Sequence, residues 1–545
     1  MSPQLFRKTD APTVFLHWAL FATLVVSLLT GLRIGADRTD AAWARWLDPI
    51  LLQGNVIVWH AWAATALGLV TIAYVIFLAR SRLARRVALD APTRRALRTG
   101  PADRRWRAAN VALYWLAFAL IAAAVATGLL LYALPGLLPF LTVAWIHQLL
   151  AWSLIVYVAI HVAGQLLAGG WPRLIKIISP RLAYGTVGAL SVGVAGAAMA
   201  AVVVMDRMAG KTLTVGQVAE APTLDGRADD PGWRNADTIT IDTARGVNTP
   251  EGEPVTVRMV HDGASFYALF QWPDTTRSQK HLPLIKTEAG WKIMQSEYGI
   301  QDEDTYYEDK FGVMLAATPE LAGAGTSHLG GKPLEDHPAP SGGRGLHYTT
   351  DGSIVDVWHW KSVRTGSFEM IDDNHFGPPM EVDPEKSRYT GGYTQDPKEA
   401  GGYKMNWESF SDDIVTPTHL PRDPTMIAAF QEWSHHPDDG DPGPLALRIA
   451  DAVPYSAAAD DYPVGTIMPS VLIDGPYEGD RGEVAAVAEW RDGMWTLEAK
   501  RALVTGSEYD MALTPDAPLY MWVAVFNHTQ TRHSQHLHPV EIRME

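Results

Sequence analysis

No cysteine occurs among the 545 residues. That excludes disulfides, thiolate metal sites, iron–sulfur clusters and haem attached through a CxxCH motif. A second scarcity is local: residues 1–210 contain no glutamate and 7 aspartates against 19 lysines and arginines, a balance of +12. The remainder carries 26 basic and 53 acidic side chains, or −27, so the formal −15 of the whole chain hides a basic half and an acidic half. A P-loop, a GxGxxG turn after a plausible strand and a Gx-Ser-xG elbow are also missing, so neither a nucleotide cofactor nor a nucleic-acid partner is expected.

What the first half does contain is apolar sequence. Five runs, at about 12–32, 55–79, 108–133, 141–168 and 183–205, each have the length a membrane-spanning helix needs and no acidic residue. The segment from Arg80 to Arg107 carries ten arginines against Asp90 and Asp103, and 169–182 carries Arg173, Lys176 and Arg181. The positive-inside rule assigns both, with Arg7 and Lys8, to the cytoplasmic side. Five spans from a cytoplasmic N-terminus then deliver everything after about Met208 to the outer side of the membrane. The first run is long and lacks a small-residue cleavage site, so it reads as a span rather than a cleaved leader.

Four histidines fall in this half: His17, His60, His147 and His161. The last two lie in one run, 14 residues apart, which brings them to within about 40° on one helix face and about 21 Å apart along the axis. Alternating span direction places His17 and His161 near the cytoplasmic side, and His60 and His147 near the other. Each pair shares a depth. An intramembrane histidine can be a packing hydrogen bonder or a proton relay. Four at two matched depths fit bis-imidazole ligation of two b-type haems better, because each ring then gains a bond to iron. Zinc fits less well, since no carboxylate or cysteine accompanies them. Gly31, Gly68, Gly128 and Gly164 leave room for a porphyrin or for close helix packing.

His17 followed by Trp18, His60 in the second run, and His147 with His161 in the fourth resemble the bacterial cytochrome b561 family, over about residues 8–180. The resemblance implies a four-helix bundle, two haems b, the pairs His17–His161 and His60–His147, and electron exchange with quinone. The arginines are accounted for by topology and lipid headgroups. The expected organisation is a di-haem bundle at 1–182, a fifth helix and tether at 183–210, and a second domain at 211–545.

From Lys211 short β-rich runs (TITID, VTVRMV, SFYALFQW, DKFGVML, YMWVAVF) alternate with Gly, Pro, Asp and Asn clusters, the pattern of an antiparallel β-sandwich. Residues 316–425 show little periodicity and read as long loops. The acidic run DEDTYYED (302–309) lacks EF-hand spacing and reads as a solvated loop. LDGRADDPGWRNA (224–236), VTVRMVHDGASFYALFQWPD (255–274), YYEDKFGVML (306–315), VDVWHWK (355–361), WTLEAKRAL (495–503) and MWVAVFNHTQTRHSQHLHPV (521–540) resemble the haem-binding gamma subunit of ethylbenzene and dimethyl sulfide dehydrogenases. That family holds one b-type haem through a methionine and a late lysine. Here the corresponding stretches read GTSHLGG and TRHSQH, so the resemblance implies His328 and His536 as ligands, with His533 the nearest substitute and Met314, His359 and Lys500 as alternatives. The cluster His533, His536 and His538 is also a candidate metal site.

The expected function is a membrane-anchored cytochrome relaying electrons between quinone and a periplasmic redox partner, with no catalytic residue of its own. Its acidic outer half favours a basic partner. Two alternatives are direct oxidoreductase chemistry on a small molecule such as superoxide, and service as the haem subunit of a larger dehydrogenase. The pairing has a direct check by optical spectroscopy. His161→Ala should abolish the cytoplasmic-side haem and leave the other visible; loss of both, or of neither, contradicts it.

Overall fold

The computed structural model describes residues 11–38, 56–81, 87–133, 137–138, 140–169, 210–243, 246–249, 251–295, 303–317, 353–377, 393–411, 414–433, 440–531, 533–536 and 538–545, with 193, 194, 197 and 200 between them. The chain divides into two compact units, Met1–Ala209 and Gly210–Glu545. Most of the expected fifth span, and His328, lie outside the described residues.

The first unit is helical: α1 (Ala11–Arg38), α2 (Val56–Arg80), α3 (Ala91–Thr99), α4 (Ala102–Ala133) and α5 (Phe140–Gly169). Four of these are long and apolar enough to cross a membrane, at Pro12–Gly35, Trp59–Arg80, Arg104–Leu131 and Thr142–Leu167. Helix α1 packs on α2 and α4 on α5, with α2 against α4 joining the pairs. Small interior clusters, such as Leu24, Leu67, Ile121 and Leu154, hold the bundle together. Phe15, Ile72, Leu129, Trp145 and Leu167 stay exposed, as expected of helices whose solvent is lipid. The short α3 emerges within the arginine-rich segment: Asp90 caps it by accepting from Thr93 N at 2.9 Å, Pro92 sits in its first turn, and none of its residues is buried.

The second unit is all β. One large sheet comprises β1 (Lys211–Gln217), β2 (Thr238–Asp242), β3 (Pro254–His261), β4 (Ser265–Pro273), β5 (Lys310–Ala316), β6 (Val355–Lys361), β7 (Asp372–Phe376), β8 (Tyr393–Gln395), β9 (Ala485–Arg491), β10 (Met494–Ala502), β11 (Leu519–Phe526), β12 (Ser534–Gln535) and β13 (Val540–Met544). Its order is β8-β7-β6-β5-β11-β13-β1-β3-β4-β10-β9, with β2 on β3 and β12 on β11. Neighbours are antiparallel except around β1, which runs parallel to both β13 and β3. Alternation decides the faces: Phe266, Ala268, Phe270 and Trp272 of β4, Phe311, Val313 and Leu315 of β5, and Trp495, Leu497 and Ala499 of β10 all enter one core. The sheet therefore curls around a single interior, and a bridge between Met370 and Ala485 links its two ends. This is the sandwich architecture that the strand pattern predicts.

Two expectations change. The stretch 316–425 is not only loop, because its described residues form β6, β7, β8 and four further short strands at Ala400–Met405, Trp407–Ser411, Ile414–Pro417 and His419–Pro421. Several of these belong to small sheets that surround a second core containing Trp291, Phe430, Leu447 and Met468. The described part of the acidic run, 303–309, is largely buried rather than solvated. Glu303 accepts from the amides of Thr305 and Tyr306, and Glu308 accepts from Val363 N and Arg364 N and pairs with His281 at 2.9 Å. Burial opposes the charge of Glu308, but Arg364 outweighs it and holds that carboxyl well below its ordinary range.

Glu253 behaves in the opposite way. Burial pushes it up to about 7, only partly countered by hydrogen bonds from Asn527 and Ser534. The unfolded chain releases this proton near the ordinary 4.5 while the folded one keeps it to about 7. Stability must therefore fall as pH rises through that window. Glu253→Gln should flatten the decline: its melting temperature should drop less between pH 5 and 7 than that of the unsubstituted protein, measured by differential scanning calorimetry.

Candidate haem sites

In the bundle, each of two histidines is met by a Thr–Gly pair from the neighbouring helix. Thr30 Oγ1 of α1 lies 2.9 Å from His60 Nδ1 of α2, and Thr127 Oγ1 of α4 lies 2.9 Å from His147 Nδ1 of α5. Each hydroxyl also donates to a carbonyl of its own helix, Thr30 to Val26 at 2.7 Å and Thr127 to Ala123 at 2.9 Å. With that proton committed, the threonine oxygen accepts from Nδ1–H. The ring is thereby fixed in the tautomer that carries its lone pair on Nε2, the form a metal needs. Gly31 and Gly128 complete the cradle, since a Cβ there would lie 3.0 Å from His60 Cε1 and 3.2 Å from His147 Cε1.

The His60 and His147 rings stand edge to face with centroids 6.0 Å apart. Two imidazoles sharing one metal through bonds of about 2 Å each have ring centres about 6 Å apart. The donor set and spacing of this pair therefore fit a bis-imidazole haem. His17 is half-buried beside Trp18, within electrostatic reach of His161. The ring of His161 stacks on Tyr157 at 5.7 Å. Near this pair in sequence, Gln165 donates to Asn110 at 2.8 Å, and Gly164 makes room for the Trp106 indole, which a Cβ would overlap at 2.1 Å. Gly68 instead meets Val125, a helix-packing contact. Of the four glycines singled out by sequence, two border histidines. Thr30 and Thr127 escaped that reading, although Thr-Gly-Leu recurs at 30–32 and 127–129.

The sandwich presents its candidate ligands differently. His536 is buried with both nitrogens engaged: Nε2 accepts from Val523 N at 2.9 Å and Nδ1 donates to His538 O at 2.7 Å. Burial holds it neutral, with a pKa lowered to about 4. In this arrangement His536 pins the end of the chain to β11, and binding iron would break the Val523 bond. Lys500 sits over the Tyr267 ring at 5.5 Å, on the face of β10 opposite the core residues Leu497 and Ala499.

Met314 and His359 lie together. Both point away from the main core on adjacent strands, with Gly312 paired to His359 and Met314 to Val357. Met314 packs with Trp522, Val355 and Phe376. His359 and His533 each flank the Phe526 ring, at 5.3 and 4.5 Å. His359 Nε2 is buried without a hydrogen-bond partner among the described residues. Burial, reinforced by Lys361, Lys310 and Arg364, pushes the pKa of His359 well below its ordinary value. A neutral imidazole with an unspent buried nitrogen is the chemistry of a metal ligand.

Residues 230–537 match the ethylbenzene dehydrogenase family, and residues 8–180 match the prokaryotic cytochrome b561 family. No curated protein matches the chain. Among solved structures, similarity is found to a family 9 carbohydrate-binding module from Caldicellulosiruptor kristjanssonii in complex with cellotriose, at 10% identity, covering 62% of this chain and 94% of that one with a TM-score of 0.22. The same module in complex with glucose is similar at 10% identity, 61% and 95% coverage and a TM-score of 0.21. The protein belongs to the ethylbenzene dehydrogenase family over more than half its length and carries a prokaryotic cytochrome b561 ahead of that domain, which makes it a membrane haem b electron-transfer protein.

Proposed function

We propose that the protein passes electrons between membrane quinone and a redox partner on the periplasmic side, through two haems b in the bundle and a third in the sandwich. The observation that carries this reading is the doubled threonine–glycine–histidine cradle. It holds His60 and His147 through Nδ1, with their rings at a separation suited to a shared iron. Haem bound there supplies a one-electron iron couple. The chain's own residues do the rest: His17 with His161 and His60 with His147 hold the two irons, and the threonines orient the second pair. The apolar helices keep water away. Charge bias puts the N-terminus and the His17–His161 pair toward the cytoplasm, beside the arginine-rich segment and a quinone site. The outward face of β5, β6 and β11 would hold the third haem through His359, with His533, or His328 from outside the described residues, as the second ligand. The acidic outer half favours a basic partner, a small redox protein or a dehydrogenase subunit.

Pyridine haemochrome analysis of purified protein should give about three haems b per chain; two would remove the sandwich haem, and none would sink the proposal. His359→Ala should reduce three to two. Thr127→Val removes the acceptor at His147 Nδ1, making the ligand less electron-donating. The periplasmic-side haem should then rise in potential by about 20–60 mV, the equivalent of one ordinary hydrogen bond, with Thr127→Ser near the original value in a redox titration.

A further inference from the structure

Away from the haem sites, an acidic group lies where β6 and β7 approach the segment following β10. Asp356 of β6, Asp373 of β7 and Asp510 each contribute a carboxylate oxygen, and these oxygens lie within 4.8 Å of one another. Asp356 faces inward, since it shares its side of β6 with the core residues Trp358 and Trp360. Asp356 and Asp373 are each 0% exposed. The basic side chain paired with the group is Arg501 of β10, itself fully buried. It contacts Asp356 Oδ2 and stands 3.8 Å from Asp510 Oδ2.

One guanidinium does not balance three carboxylates. Both oxygens of the buried Asp373 lack a hydrogen-bond partner, as do both oxygens of Asp510 and Oδ1 of Asp356. Glu483 stands within hydrogen-bonding reach of Asp510 and can share a proton with it, which leaves Asp356 Oδ1 and Asp373 unmet. Asp372 shows the contrast: it is paired with both Lys361 and Arg481. Asp373, the next residue on the same strand, points to the opposite face and meets no such partner. Buried anions without compensation are costly. A proton on one carboxyl would quiet one charge and leave the other lone pairs unmet.

We infer that Asp356, Asp373 and Asp510 form a binding site for a hard divalent cation, calcium in preference to magnesium. Three carboxylates, one guanidinium and one such ion sum to zero charge. The donors are all oxygen, with no imidazole among them, which selects against zinc and copper. Opposite ligands in a calcium shell stand about 4.6–5.2 Å apart, so oxygens gathered within 4.8 Å suit it. Calcium also accepts an irregular shell completed by water, whereas magnesium demands a near-ideal octahedron. The bound ion ties the β6–β7 edge of the sheet to the segment after β10.

The test uses the full-length protein in detergent, stripped with chelator and titrated with calcium chloride by isothermal calorimetry. About one calcium per chain should bind, and Asp373→Asn and Asp510→Asn should each weaken binding at least tenfold. Saturating calcium should raise the melting temperature of the unsubstituted protein by a few degrees and leave that of Asp373→Asn unmoved. Without metal, Asp373→Asn should melt higher than the unsubstituted protein because it deletes an uncompensated charge, which separates loss of the site from loss of the fold. Binding of magnesium in place of calcium, lost in the same variants, keeps the site and changes the preferred ion. No binding of either ion, or calcium binding undiminished in both variants, overturns the inference.

Discussion

An imidazole placed in hydrocarbon has two nitrogens to satisfy and no water to do it, and the bundle is arranged around that constraint. Threonines at matching places on α1 and α4 satisfy one nitrogen each of His60 and His147. Nε2 is the nitrogen that would meet a haem iron. An unsatisfied buried polar group costs about 1–3 kcal/mol. Against the 5–15 kcal/mol that is typically all a domain has, meeting such groups matters. Cofactor and fold stand on the same account: the residues that would destabilise the empty bundle are the ones that hold the filled one.

The sandwich faces the same constraint with charges instead of rings. Glu308 is met by Arg364, His281 and two amides, and Asp372 by a lysine and an arginine. These closed arrangements rigidify the junction between the curled sheet and the smaller sheets inserted between β4 and β9. Open ones mark ligands. His359 with its unspent nitrogen and the aspartates around Asp373 are two such places among the described residues, and they lie on opposite faces of the strands that carry them.

The bundle was legible because its signal is local. Run length, the 14-residue spacing of His147 and His161, and charge bias all reside in short stretches of sequence. Thr30 and Thr127 were not legible, because a threonine in an apolar helix ordinarily bonds its own backbone, and here it does that as well. In the sandwich, strand character was readable wherever alternation was strong, as in SFYALFQW. The acidic run at 302–309 looked solvated because Arg364, the residue that neutralises Glu308, is distant in sequence. His536 looked like a ligand for a related reason: the backbone groups of Val523 and His538 that occupy it cannot be seen in a histidine count.

The strand β1 bears on how the protein is made. It is the first strand of the sandwich, yet it is wedged between β3 and the last strand, β13, and runs parallel to both. Parallel partners this far apart in sequence cannot be joined by a hairpin, and pairing across more than 300 residues is slow because loop closure comes first. On the ribosome, β1 emerges long before β13 exists. The sheet therefore stays open until β13 has been made, with the edge of β1 that β13 will cover unpaired.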